Sequence, residues 1–218
     1  MNETFVRKII EAIEPTHDVA MDIGANHGSY TDALCKKFAS VHAFEPLPNN
    51  MKVLHEKVTM PNVRLHQMAI GKVNGNMKLY TCPNHGGNSI SEKVGGQTTW
   101  GHDKNTFVTV ESQTLDHFCR ENDLIAYKDD DVAHKMKPRL RFIKCDIEGA
   151  EDFIFDYGKE VLSTNRLDIM LEVHQTVDTI RLYNFFKELG YTIYNYELKT
   201  VEFMTQDHHY LITNTVAQ

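Results

Sequence analysis

Residues 19 to 46, VAMDIGANHGSYTDALCKKFASVHAFEP, constrain this chain more than any other stretch. Val19 to Ile23 is a short apolar run carrying one acid, Asp22, as a buried strand would. Gly24, Ala25, Asn26, His27 and Gly28 follow at once, and an amphipathic segment starts near Ser29 and Tyr30. Glycines in such a turn permit left-handed backbone and close approach of a ligand. Ser29 or Thr31 can cap the helix, whose first N–H groups have no partner within it. Val41 to Phe44 is a second apolar run, closed by Glu45 and Pro46. Strand, glycine turn, helix, strand and terminal acid describe a nucleoside site, since an acid about 20 residues beyond the glycines can accept hydrogen bonds from ribose hydroxyls.

The turn narrows the ligand. A dinucleotide fingerprint needs a third glycine so that the helix packs close under a pyrophosphate, and Ser29-Tyr30 stand in its place. No Gly-Lys-Ser/Thr follows, which excludes a P-loop. Asp22 at the end of the first strand is a poor neighbour for a diphosphate but suits a cationic or zwitterionic ligand. The alternative is an ordinary strand–turn–helix of some other α/β protein.

The chain has 218 residues, enough for one domain with a sizeable core, and no composition shift divides it. A net charge of -7 argues against a nucleic-acid partner, which would call for a basic stripe. Cys35, Cys82, Cys119 and Cys145 lie far apart without a C-x-x-C, which reads as reduced, buried thiols. The first 15 residues form an amphipathic helix without a signal-peptide core, and no apolar run reaches membrane length. These features predict a cytoplasmic protein without membrane insertion; the oligomeric state is left open.

Further along, Met51 to Val58 reads as a helix after an asparagine cap, and Val63 to Gly71 as a third strand. Gln67 and Met68 at its end are candidate contacts for an adenine base. Gly75 to Thr81 alternates as an edge strand, and Thr114 caps a helix that buries Leu115 and Phe118. Residues 82 to 105 form a long glycine-rich loop with the only tryptophan. Asn88, Ser89, Trp100 and His102 there can line an acceptor site, or the loop is a plain surface excursion. The charged loop 127–138 reads as solvated.

A second informative run, FIKCDIEGAE, is an apolar strand ending at Asp146, then Glu148 and a glycine turn. LDIMLEVH repeats the arrangement and ends in Glu172 and His174, two apart and so on one strand face. Ligands of open α/β sheets bind at the carboxyl ends of strands, so Asp146, Glu148, Glu172 and His174 should converge near the first glycine turn. His174, with an ordinary imidazole pKa near ~6.5, is the first choice of general base, oriented by Glu172 or Asp146. The rival is a divalent cation, magnesium or calcium before zinc, held by Asp146, Glu148, Glu172 or His174. Glu148 and Glu151 can equally act only as helix caps, and Lys144 only as a counter-charge. Thr179 to Leu189 reads as an amphipathic helix carrying Ile180, Tyr183, Phe186 and Leu189. Tyr191 to Tyr196 and Phe203 to Ile212 read as the last strands.

VAMDIGANHGSYT, VHAFEPLPNN, the TLDHF run at Thr114 to Phe118, and above all FIKCDIEGAE with LEVH resemble the FkbM family of S-adenosylmethionine-dependent O-methyltransferases. The resemblance runs from about Val19 to Gly190. It implies a Rossmann-like class I methyltransferase fold: a mostly parallel seven-stranded sheet, an antiparallel edge hairpin and helices on both faces. It also implies S-adenosylmethionine held by Asp22, Gly24, Ala25, Asn26, Gly28, Ser29, Tyr30, Glu45, Pro46, Gln67, Met68, Ala69 and Asp146. The acceptor it implies is a hydroxyl of a sugar or glycan, with a polyketide-like small molecule as the alternative. A non-catalytic cofactor-binding module is the reading from another class.

Overall fold

The structure, a computed structural model, describes residues 3–81, 107–126 and 138–214. Asn88, Ser89, Trp100, His102, Cys82 and nearly all of the charged loop lie outside the described residues. In chain order the elements are α1 (Glu3–Ala12), β1 (Thr16–Ile23), α2 (Thr31–Leu34), β2 (Phe38–Phe44), α3 (Pro48–Lys57), β3 (Val63–His66), β4 (Ala69–Ile70), β5 (Gly75–Tyr80) and β6 (Phe107–Gln113). Then come α4 (Leu115–Glu121), β7 (Leu140–Cys145), α5 (Glu151–Asp156), α6 (Lys159–Thr164), β8 (Asp168–Val173), α7 (Thr179–Glu188), β9 (Thr192–Tyr194) and β10 (His208–Thr213).

Strand alternation decides how these pack. Met21, Ile143 and Ile169 face one way, into a core with Leu115 and Phe118 of α4, Ile154 and Phe155 of α5, Val161 and Leu162 of α6, and Phe186 of α7. Ala20, Phe142 and Met170, one step along the strands, face α1 through Phe5, Val6 and Ile10. Buried on both faces, these strands are near-continuous apolar runs, as parallel strands must be. The sheet order is β3-β2-β1-β7-β8-β10-β9, with β3 to β8 parallel and β10 antiparallel to both β8 and β9. This is the expected mostly parallel seven-stranded sheet with its antiparallel edge.

Several local expectations need correction. The third strand is broken: β3 ends at His66, and β4 joins β6 and β5 in a separate three-stranded sheet. The helix near Ser29 is a single turn, without a side-chain cap, because the Thr31 hydroxyl donates to Asp22 at 2.6 Å instead. Helix α3 starts on Pro48 at its N-terminal end rather than on an asparagine cap, and the Asn50 amide donates to Glu45. In α7 the buried stripe is Leu182 and Phe186, four apart; Ile180 lies off that stripe and is 74% exposed. The final strand starts at His208, and Phe203 stays outside it, exposed.

His42 on β2 and His66 on β3 stack with ring centroids 5.1 Å apart, Nδ1 to Nε2 at 3.0 Å, with Phe118 edge-on to both. Burial, with the charge of Arg64 and, for His42, of His66 itself, pushes both imidazoles down to about 4. The unfolded chain therefore binds more protons than the native one between pH ~6.5 and ~4, so stability falls as pH falls through that window. His42, buried, should account for on the order of 3 kcal/mol of this loss. Urea titrations of wild type and His42→Leu across pH 7 to 4 should show the acid limb flattened in the variant.

Candidate functional site

The carboxyl ends of β1, β2 and β7 open onto a cleft of about 670 Å³ counted to its mouth. Gly24 and Asn26 of the first turn, Phe44 to Leu47 with Asn50, Met68 to Ile70, Leu79 of the small sheet, and Asp146 to Glu148 line it. Glu45 directly follows β2 and is only 5% exposed. Its Oε2 accepts the Asn26 N–H at 3.0 Å and its Oε1 the Leu47 N–H at 2.9 Å. Those bonds fix the carboxylate and leave acceptor capacity on Oε2 for a ligand hydroxyl. Burial lifts its pKa, and the backbone bonds pull against that rise. Around it Phe44, Met68, Ile70 and Leu79 form an apolar wall fit for a planar base.

The two turns touch. Gly24 has φ +79°, and a Cβ built there would lie 1.9 Å from the Asp146 carbonyl oxygen, so the turn admits no side chain at that position. Gly28 serves packing: its Cβ would meet Leu54 of α3 and Val58 just after it, each at 2.7 Å. Asp22, in register with Lys144 across β1 and β7, is fully buried. Lys144 Nζ lies 3.4 Å from Asp22 and 3.5 Å from Asp146, and donates to the Gly24 carbonyl at 3.0 Å. Burial alone would favour the neutral amine, but the two carboxylates more than reverse that and hold its pKa above the ordinary range.

The second turn gathers charge. His174 Nε2 lies 3.4 Å from Glu148, 3.7 Å from Asp146 and 3.8 Å from Glu172, while Nδ1 meets Glu151 at 2.7 Å. Glu151, fully buried, also accepts the Ile147 and Gly149 N–H groups. Burial depresses the His174 pKa, yet the hydrogen bond to Glu151 and the charges of Glu151, Asp146 and Glu148 outweigh it and raise it to about 10. The expectation of an ordinary imidazole is therefore corrected: at neutral pH His174 is an imidazolium, which donates and does not accept. Burial pushes Glu148 up to about 7 against the attraction of His174, with repulsion from Asp146, Glu172 and Glu151 adding to the rise. Glu172 resists its own burial and lies below the usual range because His209 bonds it at 3.1 Å.

Of the expected cofactor residues, Gly24, Asn26, Glu45, Pro46, Met68, Ala69 and Asp146 line the cleft. Asp22, Ala25 and Gly28 are buried beneath it, and Ser29 faces solvent. Tyr30 sits over Lys144, 5.1 Å from its ring centroid, on the α1 side of the sheet. Gln67 is exposed and outside the lining, since β3 stops one residue before it. Asp146, Glu148, Glu172 and His174 do come together, but the partner that orients His174 is Glu151 rather than Glu172 or Asp146, because its fixed Oε1 is a full ångström nearer. Leu47 and Asn50 in the cleft lining, and Glu151 and His209 beside the charged cluster, join the site only through the fold. A lysine inside FIKC was a signal, since a buried charge requires a partner.

Comparison with known proteins gives a consistent picture. A family model described as "Methyltransferase FkbM domain" matches residues 22–193. No curated protein matches the chain. Among solved structures, a methyltransferase FkbM from Methylobacillus flagellatus is similar at TM-score 0.53 and 15% identity, over 95% of this chain and 50% of that one. The chain thus spans about half the length of that relative. A precorrin 8w decarboxylase of Methanobacterium thermoautotrophicum (TM-score 0.48, 14% identity, 96% and 89% covered) and a Streptococcus mutans protein in complex with SAH (0.49, 12%, 96% and 94%) are more distant.

The contact between the turns predicts an asymmetry among glycines. Gly24→Ala should cost more than about 3 kcal/mol, combining left-handed strain with the clash. Gly190→Ala, also at positive φ (+82°) but with nothing within 4 Å of its Cβ, should cost about 1 kcal/mol. Equal losses in urea denaturation would contradict the turn-to-turn packing.

Proposed function

The chain belongs to the FkbM methyltransferase domain family, and from that premise we propose that it transfers a methyl group from S-adenosylmethionine to a hydroxyl of a sugar or glycan acceptor. The observation that carries the cofactor assignment is Glu45, a buried carboxylate pinned by two backbone N–H groups at the rim of an apolar cleft. Glu45 would hold the ribose, Met68, Ile70 and Phe44 would flank the adenine, and Gly24 with Asp146 would receive the amino-acid end. The acceptor class comes from the family resemblance, with a polyketide-like hydroxyl as the alternative.

Bound, the cofactor supplies a methyl group on a positively charged sulfur. The chain must hold the acceptor oxygen in line and remove its proton as the C–O bond forms and the S–C bond breaks. Glu148 lines the cleft and His174 does not. We therefore assign proton removal to Glu148, with His174 holding its carboxylate in place through the 3.4 Å contact. A second reading has one specific observation behind it: ligand atoms of Asp146, Glu148 and His174 lie within 4.8 Å of one another, so the same cluster can hold a divalent cation. Such an ion would lower the acceptor hydroxyl's pKa. Its oxygen-rich ligand set suits magnesium.

Calorimetric titration should give saturable binding of both S-adenosylmethionine and S-adenosylhomocysteine, weakened about 10- to 100-fold in Glu45→Ala, as loss of a charged hydrogen bond implies. A folded wild type that binds neither would overturn the proposal. With an acceptor in hand, Glu148→Gln should lower turnover by about 10²-fold or more while leaving cofactor affinity nearly unchanged. Loss of turnover in EDTA, restored by magnesium, would favour the metal reading.

A further inference from the structure

We propose that Lys144 is a positioning residue, one buried ammonium that fixes the cofactor turn and the catalytic turn relative to each other; the proposal rests on the methyltransferase reading above. Its three partners come from separate segments: Asp22 within β1, the Gly24 carbonyl in the first turn, and Asp146 at the start of the second. Two of the three, Gly24 and Asp146, line the cleft, so a shift of the ammonium is a shift of the ligand-binding surface. Asp146 is bracketed by cations, with Oδ2 toward Lys144 and Oδ1 toward His174.

Among the described residues, Lys144 is the one cation that reaches Asp22, the Gly24 carbonyl and Asp146 together. Asp22 Oδ1 has no hydrogen-bond partner and depends on the ammonium 3.4 Å away. Val6, Tyr30, Met170, Glu172 and His209 close the far side, and the Lys144 side chain is 5% exposed. Removing the ammonium would leave Asp22 with the Thr31 hydroxyl and Asp146 with His174, but the two carboxylates and the Gly24 carbonyl would face one another in a poorly solvated space without the cation they share. The backbone bond from Asp146 N–H to the Ile23 carbonyl, 3.1 Å, holds the strands but not the carboxylate.

A charge-balanced pair of substitutions separates positioning from mere stability. Lys144→Met alone should destabilise the fold by stranding Asp22, whereas Asp22→Asn/Lys144→Met removes both charges and keeps an acceptor for Thr31. The double variant should melt close to the wild type yet bind S-adenosylmethionine at least 10-fold more weakly by calorimetry. Undiminished binding in the double variant would overturn the role of Lys144 alone, whereas a wild type that binds no cofactor would overturn the methyltransferase reading and this inference with it. Should the double variant not fold, lysine-selective ¹⁵N NMR of the wild type decides the matter. An exchange-protected ammonium signal that shifts on saturation with S-adenosylmethionine supports the proposal, and one that is missing or does not move overturns it.

Discussion

Everything about this site depends on how closely two turns approach. The parallel ladder of β1 on β7 ends with the Asp146 N–H on the Ile23 carbonyl, and beyond that bond the chains diverge into Gly24 and Asp146. No side chain fits between them, so position 24 must be glycine if the ladder is to run to its end. The close approach then has an electrostatic consequence. It places the carboxylates of Asp22 and Asp146 on the same side of two adjacent strands, in register with a lysine. Sterics bring the turns together, and Lys144 offsets the charge they concentrate.

The second turn solves a different problem with its backbone. Glu148 and Gly149 both adopt positive φ, +59° and +97°, which folds the chain back so that the Ile147 and Gly149 N–H groups converge on Glu151. A carboxylate held that way cannot rotate, and it in turn fixes His174 through Nδ1. The imidazole is thereby left with Nε2 facing three further carboxylates. Left-handed backbone at a non-glycine residue costs roughly 1–2 kcal/mol, and here that strain places Glu148 at the cleft rather than over the helix.

What the sequence discloses and what it hides divide along physical lines. Alternation and apolar runs predict the strands because burial on both faces demands them, and the position of Glu45 follows from the spacing of strand, turn and strand. Charge pairing across strands is hidden, because Asp22 meets Lys144 and Glu172 meets His209 only through register, which one sequence does not contain. The same limit explains why Thr31, expected as a helix cap, bonds Asp22 instead, and why Gly28 and Gln67, whose residue types fit a ligand site, lie off the cleft: a helix packs closer or a strand ends one residue sooner. Glu151 reads as a helix cap, but it is the first residue of α5, whose N-terminus has no side-chain cap; its carboxylate instead accepts from the turn before the helix and from His174, bonds that belong to the tertiary fold alone.

The balance of charge at the cleft bears on which small molecule it favours. Around the cleft Asp22, Asp146, Glu148, Glu151 and Glu172 outnumber Lys144 and the His174 imidazolium; neighbouring carboxylates raise His174 to about 10, and burial, aided by repulsion from Asp146, Glu172 and Glu151, pushes Glu148 to about 7. A cation entering such a site relieves repulsion that the folded chain cannot relieve by itself. A donor that arrives as a sulfonium and leaves as a neutral thioether would experience that attraction only before transfer. The field would hold the reactant more firmly than the product and favour release once the methyl group has gone. Because Lys144 already occupies the flank toward β1, the unbalanced negative potential lies toward Glu148 and Glu172.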